Sequence, residues 1–245
     1  MDLTVWQWAL LALGAFFMGL AKTGVSGLGV LTVALFANAL PARESTGALL
    51  PLLLCTDLIA VAYFRKHASW PHLWKLFPWV IVGVVSGYFA LDRISNAQVA
   101  RLIGAILLAM VAVHLWRKRR ANPGDQLPHT WWFAAITGIL SGFTTMTANA
   151  AGPIMVLYLL AIGLPKLAFV GTSAWFFMLV NAFKVPFSMQ LGLITTHSLL
   201  LDAWLLIPML PGALLGPLIL KRIEQQKFER LVLLLTALAA ARLLL

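Results

Sequence analysis

The sequence predicts an all-α polytopic membrane protein of two inverted repeats, each a broken or re-entrant helical hairpin followed by three transmembrane helices. Three observations predict it. Of 245 residues, 61% are hydrophobic and 11% charged, with a mean hydropathy of +0.91, whereas soluble domains carry about 25% charged residues. The apolar pattern occurs twice, and both copies break at matching positions. The cations then fall on one side of a bilayer when the segments are threaded through it in order.

The first repeat, residues 1–120, opens with an apolar segment at 3–21. It begins Met1-Asp2 with no basic n-region, and its apolar run is too long for an h-region, so it reads as a membrane helix and not a cleavable signal. The run is interrupted at Ala21-Lys22-Thr23-Gly24-Val25-Ser26-Gly27-Leu28-Gly29 and resumes over 28–40. A helix of about 15 residues reaches only about 22 Å against a hydrocarbon core of about 30 Å. The pair is therefore predicted as a hairpin dipping into the membrane. Segments 47–64, 73–91 and 98–116 follow as three spans, and a cytoplasmic linker at 121–130 leads to the second repeat, 131–245. There the segment 131–146 breaks within Ser141-Gly142-Phe143-Thr144-Thr145-Met146-Thr147-Ala148-Asn149-Ala150-Ala151-Gly152-Pro153. Segments 150–163, 168–190, 198–220 and 228–245 complete it.

The duplication shows in ordered matches. A shift of 124 residues places Trp8 on Trp132, Gly14 on Gly138, Leu40-Pro41 on Leu164-Pro165, Gly47 on Gly171 and Asp57 on Asn181. Further along, a shift of 129 places Gly83 on Gly212, Gly87 on Gly216, Arg93-Ile94 on Arg222-Ile223 and Arg101 on Arg230. Five segments per copy is an odd number, so the second copy must be inverted. Charge tests this. With Arg117-Lys118-Arg119-Arg120 in the cytoplasm, Arg65, Lys66, Lys75, Lys166, Lys221, Arg222, Lys227 and Arg230 join them, while only Arg43, Arg93, Arg101 and Arg242 fall outside. That asymmetry puts both termini on the outer face of a plasma membrane, the bacterial inner membrane being the natural setting.

Gly- and Thr-rich interruptions at corresponding places in two halves point to a transporter's binding site. Lys184, in Asn181-Ala182-Phe183-Lys184, and Lys22, in the first interruption, are embedded cations. Such charges cost about 2.5–3.5 kcal/mol or more at a helix centre, so they face a cavity or a partner and suit an anionic substrate. The bland alternatives are a Lys184 that snorkels to the outer interface and a Lys22 that only helps orientation. Asp57 needs a cation, a proton or hydrogen bonds. It either pairs structurally with Lys22 or Lys184, or titrates and couples transport to protons or another ion. Thr23 and Ser26 in the first interruption, and Thr145, Thr147, Asn149 and Gly152 in the second, offer donors near helix N-termini, which favour anions. Thr172 and Ser173 open the following segment in the same style, and Trp175 is placed to line a cavity wall. These hydroxyls could equally serve an irregular buried backbone. The predicted site lies near mid-membrane, between the hairpin tips and the segments carrying Asp57 and Lys184.

Other classes are poorly supported. Net charge is +10, but the cations sit in short loops, so no nucleic-acid partner is expected beside the lipid bilayer. The lone Cys55 and the five scattered histidines offer no metal-ligand spacing, and no cofactor is expected. There is no P-loop and no Gly-x-Ser-x-Gly elbow, so the chain reads as no enzyme. Trp6, Trp8, Trp70, Trp74, Trp131 and Trp132 lie near segment ends and suit an interfacial belt.

Across essentially its whole length the chain resembles the TauE/SafE family of sulfite exporters. The resemblance is sharpest over Gly138-Ile139-Leu140-Ser141-Gly142 through Gly152-Pro153, then Gly163-Leu164-Pro165-Lys166 and Gly171-Thr172-Ser173. In the first copy it rests on Gly19-Leu20-Ala21-Lys22-Thr23-Gly24, Gly27 and Gly29. Family members often carry a glycine-rich stretch before the proline, where this chain has Thr144-Thr145-Met146-Thr147-Ala148-Asn149-Ala150, a departure that bears on substrate more than on fold. The resemblance implies secondary export, by alternating access, of a small sulfur-containing anion such as sulfite or sulfoacetate. A passive anion channel of the same architecture shares these features. A membrane-embedded enzyme or assembly subunit would show no flux alone. A homo-oligomer is compatible with the sequence.

Overall fold

The computed structural model describes residues 3–26, 28–40, 42–90 and 131–244. The predicted segment 98–116, the linker 121–130, Gly27 and the Arg117–Arg120 cluster lie outside them. The described residues form nine α-helices and no strand. In chain order these are α1 (Val5–Thr23), α2 (Gly29–Ala39), α3 (Ala42–Phe64), α4 (Trp70–Ala90), α5 (Trp131–Ala148), α6 (Gly152–Ala161), α7 (Lys166–Gln190), α8 (Thr196–Arg222) and α9 (Gln225–Leu244), with a 3-10 turn at Arg65–His67. Among the described residues, five stretches are long and apolar enough to cross a membrane: Val5–Thr23, Ala48–His67, Trp70–Ala90, Lys166–Gln190 and Thr196–Arg222. The chain is a multi-pass membrane protein.

The hairpins are unequal. At 1.5 Å per residue, the 19 residues of α1 reach about 28 Å and the 11 of α2 about 16 Å. Likewise α5 has 18 residues and α6 only 10. Each break thus joins a near-full-length arm to a half-length one. Both breaks are also narrower than the sequence suggests. Hydropathy marks where apolar residues stop, but helical hydrogen bonding runs on through Lys22 and Thr23, and through Thr147 and Ala148. Among the described residues, the irregular backbone of the breaks is confined to 24–26 and 28, and to 149–151.

The chain folds as two compact units that draw on both sequence repeats. One comprises Met1–Ala68 and Val170–Glu224, the other Ser69–Phe169 and Gln225–Leu245. In the first, Leu11, Ala15 and Met18 of α1 pack with Phe36 of α2, Leu49 and Leu52 of α3, and Leu205, Met209 and Ala213 of α8. The α1–α2 hairpin is tied by Gln7 Nε2 donating to Ala39 O at 2.9 Å and Thr32 Oγ1 donating to Gly14 O at 3.2 Å. Small residues let α1 and α8 run side by side: Gly19 lies against Met209 and Ala213, Gly212 against Phe16, and Gly24 against Gly216. Close backbone approach of this kind is a common way for helices to associate in lipid.

The second unit repeats the device. Gly138 packs on Leu76 and Trp79, Gly142 on Val80 and Gly83, and Gly87 on Phe143 and Met146, holding α4 to α5. Phe133 of α5 stacks on Tyr158 of α6 with centroids 5.5 Å apart, and Phe169 meets Phe228 of α9 edge-on at 5.3 Å. Gln225 ties the start of α9 down by accepting from Lys166 N and donating to Glu229, both at 2.7 Å.

Candidate functional site

A buried charge cluster forms where α1, α3 and α7 meet in the first unit. The start of α7 approaches the end of α3 because Gly171 leaves room for Phe64 O and Ala68 N. From there the two helices run in opposite directions, so Asn181 arrives beside Asp57. Asp57 is the tenth residue of the apolar span Ala48–His67 and is completely buried. Lys22, in the last turn of α1, brings Nζ to 2.7 Å from Asp57 Oδ1. Asn181 Nδ2 donates to Asp57 Oδ2, also at 2.7 Å. The carboxylate therefore has one partner per oxygen, as a buried charge requires. Among the described residues, the other side of the Asn181 amide, its Oδ1, has no hydrogen-bond partner.

Lys184 lies three residues beyond Asn181 and is 1% exposed. Its ammonium is enclosed by protein and interacts electrostatically with both Lys22 and Asp57. Two ammonium groups thus share one carboxylate. Phe177, one helical turn before Asn181, offers its ring face to Lys22 Nζ, with the centroid 3.8 Å away, a cation–π contact. Sequence reading passed over Phe177. Its position four residues from Asn181 on the same helix was the available signal.

The remaining sequence candidates are distributed unevenly. Thr23 is buried, but its hydroxyl donates to Gly19 O at 2.9 Å, so its proton is used within α1. Ser26 is buried in the break itself. Thr172, Ser173 and Trp175 lie on α7 about two turns or so before Asn181, with Thr172 fully buried and the other two half-buried.

Thr145, Thr147, Asn149 and Gly152 belong to the other unit. Thr145 and Thr147 are buried, and Thr147 Oγ1 donates to Phe143 O at 2.9 Å. Asn149 has φ of 51°, the one non-glycine residue at positive φ among those described. Asparagine tolerates that left-handed turn better than most side chains. Its N–H donates to Thr145 O and that of Ala150 to Thr144 O, closing the end of α5.

The two half-length helices start alike. α1 and α8 carry side-chain capping boxes, Thr4 with Gln7 and Thr195 with Ser198, but α2 and α6 have no side-chain cap. A Cβ added at Gly29 or at Gly152 would meet nothing within 4 Å. Uncapped N-termini beside open space offer amide donors and the positive end of a helix dipole to an anion.

A family model described as Sulfite exporter TauE/SafE matches residues 11–243, which takes in both breaks and every residue of the charge cluster. No curated protein and no solved structure matches the chain.

Proposed function

Because this chain belongs to the sulfite exporter TauE/SafE family of membrane transporters, we propose that it exports a small sulfur-containing anion, sulfite or an organosulfonate such as sulfoacetate. The mechanism is alternating access of one inverted repeat against the other. The observation that carries this reading is the Asp57–Asn181 contact beside Lys22 and Lys184.

Asp57 and Asn181 are 124 residues apart, which is the repeat shift itself. Two positions related by a two-fold axis touch one another only where that axis passes between them. In inverted-repeat transporters the axis lies in the membrane plane, and substrate sites cluster around it at mid-depth. The glycine contacts support the same relation: Gly83 and Gly87 pack on residues 139–146, while their mates Gly212 and Gly216 pack on residues 16–24. On this reading the axis runs beside the charge cluster, at a depth where hydrocarbon gives no solvation.

The chemistry suits an oxyanion. Sulfite and sulfonates present acceptor oxygens and need donors plus positive charge. Lys22 and Lys184 bring two ammonium groups to the cluster beside the Asp57 carboxylate, and an arriving anion adds negative charge to it. The uncapped N-terminus of α2 lies just beyond the break that follows Lys22 and adds amide donors. An inside-negative potential favours outward movement of an uncoupled anion by about 2.3 kcal/mol per charge per 100 mV, which accords with export. Placing the basic loops in the cytoplasm and both termini outside follows from the charge asymmetry.

Detergent-purified protein heated with sulfite, sulfoacetate, taurine, thiosulfate, sulfate or chloride tests the reading. A ligand bound by the folded state alone raises the melting temperature with occupancy. The expected result is a selective rise with sulfite or one sulfonate, lost in Lys184→Ala, and saturable flux of that anion in liposomes. No rise with any anion and no flux from the protein alone would overturn it. Flux that is rapid, passive and unsaturable would replace the transporter with a channel.

A further inference from the structure

We propose that Asp202 of α8 is a proton-binding site that loads and unloads once per transport cycle, an inference that rests on the transport reading above. Asp202 stands in a 27-residue membrane-spanning helix, on the stripe that also holds Leu205, Met209, Gly212 and Gly216. That stripe faces α1 and the apolar core, not lipid. The side chain is 5% exposed, and neither Oδ1 nor Oδ2 has a hydrogen-bond partner among the described residues.

A carboxylate so placed is accommodated only by a cation or a proton. The surrounding groups decide which. Among the described residues, the elements packed most extensively against α8 are α1 and α3. The one titratable side chain on α1 is Lys22, already paired with Asp57. The described titratable side chains on α3 are Cys55, Asp57 and Tyr63, and of these Cys55 is the one in electrostatic reach of Asp202. On α8 itself His197, Lys221 and Arg222 sit at the helix ends, and Lys184 on α7 belongs to the Lys22–Asp57 group. A metal cation would need several oxygen ligands, and among the described residues no group of His, Cys, Asp or Glu could hold one. A proton needs only the carboxylate.

Two buried carboxylates in one unit thus have opposite fittings. Asp57 is held by Lys22 and Asn181 and keeps its charge for the site. Asp202 has neither partner, so it is buried as the neutral acid and ionises when the moving helices admit water to it. Binding adds one H+ to one carboxylate oxygen, and release returns it to water on the side then open. The coupling group is therefore Asp202, and Asp57 serves as the fixed counter-charge.

Two readouts on the full-length protein test this. Infrared difference spectra of purified wild type, taken on a pH step, should contain the carbonyl stretch of a protonated carboxylic acid. That band should vanish in Asp202→Asn and persist in Asp57→Asn. In liposomes loaded with a pH dye, wild type should move protons with sulfite or sulfoacetate, of either sign, and Asp202→Asn should reduce the proton-to-anion ratio to background. Asp202→Glu should restore it. A band that survives in Asp202→Asn, or proton movement unchanged by it, overturns the proposal. If the band belongs to Asp202 but wild type carries none of the anions, the proton site stands and the transport reading falls.

Discussion

The two breaks share a plan but solve it with different chemistry. Each joins a near-full-length helix to a half-length one whose N-terminus has no side-chain cap. The first break puts a cation at the end of its long arm, where Lys22 meets Asp57 and Phe177. The second carries only neutral groups there, and Thr144 and Thr147 bond to their own helix while Asn149 makes the left-handed turn. Even the glycines differ in purpose. Gly24 ends α1 at φ of −157° and ψ of −64°, and is small because Gly216 lies against it. The second break needs no such close approach at Gly152. The two breaks share a backbone device, and the ion pair stands at the first.

The largest effect should come from the charged break. Lys22→Ala removes the ion-pair partner of the buried Asp57 carboxylate, a change that costs about 3–5 kcal/mol, and should abolish flux. Adding Asp57→Asn should recover much of the melting temperature without recovering flux. If the single variant melts and transports like wild type, the two breaks are functionally alike after all. Next come the helix contacts, where the breaks should not differ. Gly216→Leu against Thr23 and Gly142→Leu against Val80 and Gly83 each overpack a backbone contact, costing about 1–3 kcal/mol. Unequal losses in thermal melts would show that one pair moves apart readily.

Smaller effects belong to the neutral break. Asn149→Val should cost about 1–2 kcal/mol at a left-handed position, whereas Asn149→Gly should melt close to wild type. Equal stability of the two would remove the conformational account of this residue, and a loss of flux in Asn149→Gly alone would assign the side chain to substrate. Smallest is Thr147→Val. Its hydroxyl bonds to Phe143 O within α5, so about 1 kcal/mol or less is at stake, with flux little changed. A large flux defect in this variant would give the second break a direct part in binding.

Helix count and membrane character were legible because burial in lipid imposes long apolar runs, and the nine described helices fall on nine of the ten apolar segments. Helix ends were less legible. Lys22 and Thr147 read as interruption, yet both continue their helices, since hydrogen bonding along the backbone does not stop where hydropathy does. The candidate list mixed residues of two kinds for a similar reason. A threonine in an apolar run has the same sequence signature whether it donates to its own helix, as Thr23 does to Gly19 O, or to a ligand.

Sequence by itself determined the chemistry that had to be resolved: two lysines and an aspartate within apolar segments cannot be left unanswered in a membrane. It also aligns Asp57 with Asn181 at a shift of 124 residues, read from Trp, Gly and Pro matches. Only the tertiary structure decided that these two touch, that Asp57 takes Lys22 as its ion partner, and that Lys184 stays buried instead of extending to an interface. It also left Asp202 without a hydrogen-bond partner among the described residues. The reason is physical. Ion pairs close over a few ångströms between helices far apart in the chain, and no local pattern records which faces the packing of small residues will bring together.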